Sequence, residues 1–113
     1  MDLLNELQQK IKELNISIKK LRETGTTYAE SEKEYKIAVN KKALELRENG
    51  VPVTLIQTVI YGYPEIAKLR FERDVAEVIY NANQEAIQST KLQIRVLENQ
   101  ISREFGNGGI WFI

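Results

Sequence analysis

One spacing constrains what this chain can fold into. Leu4, Leu7, Ile11, Leu14, Ile18 and Leu21 follow one another at alternating steps of three and four residues. On a helix such positions line up as one narrow apolar stripe, and a stripe of that width is the seam along which one helix packs on another. The second half repeats the device with Ile66, Leu69, Ala76, Tyr80, Ile87, Ile94, Leu97 and Ile101. The pattern predicts an all-α protein: a long antiparallel helical hairpin, coiled-coil-like, with a short helical corner.

The first arm is expected over residues 3–49. Its heptad phase continues through Gly25, Tyr28, Glu32, Tyr35, Val39, Lys42 and Leu46. Against continuity stand Thr24-Gly25-Thr26-Thr27, poor helix formers, and a capping box from Thr27 to Glu30. The surviving phase favours a continuous or gently kinked helix of about 70 Å over two shorter ones. Asn49-Gly50 stops it, because glycine accepts the left-handed conformation that closes helices and Pro52 cannot extend the hydrogen-bond ladder.

In the corner, residues 50–63, the β-branched run from Val53 to Tyr61 suits a strand. A lone strand would have no partner, so one or two helical turns are expected, with Thr54 available as a cap. Gly62 ends that segment and Pro64 suits the first position of the second arm, residues 64–105. Residues 1–105 then make one helical hairpin domain. Residues 106–113 form a glycine-rich hinge and an apolar tail. Gly106-Asn107-Gly108-Gly109 follows a helix and lacks the Lys and Ser/Thr of a phosphate-binding loop, so it reads as a hinge.

Arg73 and Asn83 fall at seam positions of the second arm. Each either points to the rim and reaches water or makes a polar pair inside that sets register. The same arm carries more apolar surface than one seam requires, in Phe71, Val75, Val78, Ile79, Ala82, Ala86, Leu92 and Val96. That excess predicts further packing, with self-association completing a bundle and a dimer as the favoured homo-oligomer.

Chemistry is narrowed by what the 113 residues omit. There is no histidine and no cysteine, which removes Ser-His, Cys-His and histidine-metal constellations, so no catalytic residue, metal site or cofactor is expected. Glu30, Glu32 and Glu34, or Glu72 and Asp74, are interleaved with Lys33, Lys36, Arg70 and Arg73 and read as solvated faces. Sixteen basic and sixteen acidic residues cancel. The first fifty residues hold ten against nine, so neither arm is a polycation. No apolar run approaches the roughly 20 residues that span a membrane, and Met1-Asp2 opens a polar amphipathic pattern unlike a signal peptide. A cytoplasmic protein without membrane contact is expected.

Two groups of residues are candidate interaction sites. Ile110, Trp111, Phe112 and Ile113 put four large apolar side chains in a row. They either fold back into a groove between the arms or dock into another protomer or partner, with Trp111 and Phe112 as anchors. Lys33, Lys36, Lys41 and Lys42 offer a candidate nucleic-acid contact beside Tyr28 and Tyr35. The seam phase of both tyrosines and the intervening glutamates make that the weaker reading.

The stretches Tyr35-Lys36-Ile37-Ala38, LRENGVPVTLI from Leu46 to Ile56, LRFERDVAEVIY from Leu69 to Tyr80 and KLQIRVLENQISREFGNG from Lys91 to Gly108 resemble small uncharacterised helical proteins carried by phages and prophages of Gram-positive bacteria. The resemblance covers much of the chain after residue 27 and implies a phage-encoded protein acting in the cytoplasm of a bacterial host. It supplies no catalytic residues. The function expected is non-enzymatic protein–protein interaction or scaffolding, with a host or phage protein as partner. The alternative is an accessory nucleic-acid-binding role in phage DNA replication or recombination.

Overall fold

The computed structural model describes residues 2–108. The chain is an all-α helical hairpin: α1 spans Leu3–Glu48, α2 Val53–Val59, a 3₁₀ turn Ile60–Gly62, and α3 Pro64–Gly108. No helix among the described residues is long and apolar enough to cross a membrane. Contacts divide the chain into two compact units, residues 23–80 and residues 1–22 with 81–113.

The 23–80 unit holds the corner and the core. α1 ends in a Schellman motif: the Gly50 N–H donates to the Arg47 carbonyl and the Val51 N–H to the Leu46 carbonyl, both at 3.0 Å. Gly50 makes this possible with φ +83°, the left-handed region in which a Cβ is strained. Val51 thereby packs on the core beside Leu46. Pro52 stays extended at the N-cap position of α2 without a side-chain cap, and its carbonyl accepts the first helical bonds, from the Leu55 and Ile56 N–H groups. The Thr54 side chain is not the cap. Its carbonyl instead accepts from the Thr58 hydroxyl one turn on.

α2 and the 3₁₀ turn drive Ile56 and Ile60 between the arms, where they meet Tyr35, Leu46 and Ile66 in one buried cluster. Ile66 is 1% exposed. Pro64 opens α3, whose first N–H groups, from Ile66 and Ala67, donate to the Tyr63 carbonyl. The threonine-glycine cluster does not break α1. Ser31 donates to the Thr27 carbonyl within an uninterrupted helix, and a Cβ at Gly25 would stand 3.1 Å from the Tyr80 ring. Gly25 is therefore the gap that admits this tyrosine, which also stacks on Tyr28 with centroids 5.9 Å apart.

The other unit is a bare helix pair. Among its described residues only Ile87 and Leu97 are buried hydrophobics. α3 presents Asn83, Ile87, Thr90, Ile94, Leu97 and Ile101 to α1, all buried or half-buried. On the α1 side the expected seam is half right. Leu7, Leu14 and Leu21 face inward, but their companions are Leu3, Lys10 and Ser17. Leu4, Ile11 and Ile18 are 51, 42 and 46% exposed. A polar contact accompanies this rotation: the Asn83 Nδ2 donates to the Ser17 carbonyl at 2.9 Å. With Ser17 against α3, Ile18, one residue and about 100° on, faces outward. α3 continues helical through Gly108, so the first three residues of the expected hinge belong to the helix.

Candidate protein-interaction surface

The residues singled out by sequence fare differently. Ile110, Trp111, Phe112 and Ile113 lie outside the described residues. The four lysines do not share one face, because Lys42 lies half a turn round the helix from Lys33. Lys42 is turned into the 23–80 unit, with its Nζ 3.1 Å from Glu65 and 3.6 Å from Glu45, and 4.3 Å from the Tyr63 ring centroid. Its hydrogen bond to Glu65 raises its pKa. Glu65 is held below the usual glutamate range, first by its own backbone N–H at the start of α3 and then by Lys42. Lys36 pairs loosely with Glu32 at 3.9 Å. Lys33, Lys36 and Lys41 are exposed.

The tyrosines are structural. Tyr35 is buried beneath the Arg73 guanidinium, 4.7 Å from its ring centroid. The Tyr28 hydroxyl donates to Glu77 at 3.2 Å, and burial, followed by the nearby Glu32 and Glu77 charges, pushes its pKa up. Arg73 sits at the rim, paired with Asp74 at 2.8 Å. Asn83 takes the other route open to a seam polar residue, the interhelical bond described above.

Among the described residues, α3 also leaves large apolar side chains exposed, as α1 does at Leu4, Ile11 and Ile18. In the 23–80 unit, Phe71, Val75 and Val78 are 68, 39 and 67% exposed. Phe71, Val75 and Ile79 line a shallow groove with Thr27 and Ser31. In the other unit, Leu92 and Val96 form the apolar floor of a groove of about 740 Å³ whose wall comes from α1, including the Lys10–Glu13 pair at 3.2 Å. The inner seam of α3 already packs within each unit, so Phe71, Val75 and Val78, and likewise Leu92 and Val96, fall at heptad positions outside that seam. Such a face binds by burying apolar area. Sequence spacing found the α3 set but missed Leu4, Ile11 and Ile18, since their own heptad spacing marks them as seam.

No protein-family model, curated protein or solved structure matches the chain.

Proposed function

We propose that the protein is a non-enzymatic interaction module that self-associates, with a dimer as the working form, and serves as a scaffold or adaptor for a further protein. One observation carries this reading. α3 bears two heptad-spaced apolar faces, and the outer one leaves Phe71 and Val78 about two-thirds exposed. An exposed apolar stretch such as Phe71, Val75 and Val78 is costly to leave in water and suits a groove or a second helix. The resemblance to phage and prophage proteins supports a host or phage protein as the further partner. Light scattering over a concentration series at fixed ionic strength tests the reading. The expected limiting mass is about 26 kDa, twice the 13.1 kDa chain; a mass of one chain at every concentration overturns it.

A further inference from the structure

We infer that two copies meet through the unit of residues 1–22 with 81–113, packing its stretch of α3 against the same stretch of the second copy, antiparallel, about a two-fold axis passing between Leu92 and Val96; this deepens the self-association reading and rests on it. The stripe that carries the pairing is Glu85, Ser89, Leu92, Val96, Asn99 and Arg103, at steps of four, three, four, three and four. All six lie within that one unit, and all are exposed. The steps read the same in both directions, so a second copy of the stripe fits the first when it runs the opposite way. A two-fold interface has this self-complementarity.

The residue types agree with the spacing. In that register Leu92 meets the partner subunit's Val96 and Val96 the partner subunit's Leu92, so the four aliphatic side chains that each hairpin leaves in water close over one another at the axis. Next outward, Ser89 meets the partner subunit's Asn99, two short polar side chains able to hydrogen-bond across the pair. At each end Glu85 meets the partner subunit's Arg103, which gives two ion pairs per dimer, and a guanidinium can hold a carboxylate through two parallel N–H donors. Leu92 and Val96 are also the floor of the groove of about 740 Å³ walled by residues 5–13 of α1 in the same unit. The second helix is therefore seated in a groove and not on a bare ridge. Gln93 lines that groove and Arg95 does not. The Gln93 flank thus turns to the second copy, where it meets the partner subunit's Gln93, amide to amide, and the Arg95 flank stays in water. A parallel pairing would stack Glu85 on glutamate and Arg103 on arginine. The charges therefore select the direction as well as the partner.

A charge-swap series read by sedimentation equilibrium tests the geometry, with far-UV circular dichroism confirming unchanged helix content. Glu85→Arg alone and Arg103→Glu alone each turn both ion pairs into like-charge contacts and should raise the dimer dissociation constant about tenfold. The double variant Glu85→Arg/Arg103→Glu restores both pairs with their ends exchanged and should return to within about twofold of the natural chain. If the natural chain dimerises but neither swap moves its dissociation constant, or if the double variant is no tighter than the single ones, this pairing is overturned while self-association stands. A natural chain that is monomeric throughout overturns both.

Discussion

The two units are built from the same two helices but hold themselves together differently. Residues 23–80 gather Tyr35, Leu46, Ile56, Ile60 and Ile66 into one buried cluster. The described part of the other unit buries Ile87 and Leu97 alone. The difference is the third layer. A pair of helices touches along a line and leaves each seam residue part-exposed, whereas α2 and the 3₁₀ turn insert across that line and close it. Seven helical residues and a turn thus convert a seam into a core. The helix pair without such a plug relies on register devices, such as the Asn83–Ser17 bond, more than on burial.

That contrast makes its sharpest prediction at one buried aliphatic site in each unit. Ile66→Ala should lower unfolding stability by about 4 kcal/mol, since the cavity is enclosed on every side, and Leu97→Ala by about 2 kcal/mol, since one side opens to water. Equal losses in denaturant titrations would break the comparison. Gly50→Ala should cost about 1–2 kcal/mol in the same assay, because a side chain at φ +83° strains the motif that aims the chain at the plug. Asn83→Ala should cost about 1 kcal/mol, the size of one hydrogen bond.

The smallest effect concerns pH. Glu65 titrates lower in the folded chain than in the unfolded one, so its contribution is present above the usual glutamate range and is lost as the pH falls through its folded value. Glu65→Gln should therefore flatten the acid limb of the stability profile and leave neutral behaviour similar in shape.

Much of this organisation is legible in the residues. Apart from Thr90, the inner seam of α3 can be read in the sequence, including Arg73 and Asn83, because the heptad pattern carries from Ile66 to Ile101. Gly50, Pro52 and Pro64 mark the corner, since each has a conformational reason to stand where it does. The rotation of α1 is not legible: Leu4, Ile11 and Ile18 have seam spacing, and nothing local marks Leu3, Lys10 and Ser17, the last bonded through its carbonyl to Asn83, as their inward replacements. The start of α2 is also missed, because Pro52 takes the N-cap position without a side-chain cap and Thr54 falls inside the helix. For the candidate surface, the apolar excess of α3 is visible in sequence, but its exposure follows only once the inner seam and the plug have used the other face.

Amide hydrogen–deuterium exchange in dilute protein tests the central contrast most directly. Amides of the plugged region, from Tyr35 to Ile66 outside the tight turns, should exchange slowly and together, while those of α1 before residue 22 and α3 beyond residue 90 should exchange markedly faster. Uniform protection along α1 and α3 would contradict the account, since it would mean that the helix pair is as well closed as the unit that carries the core.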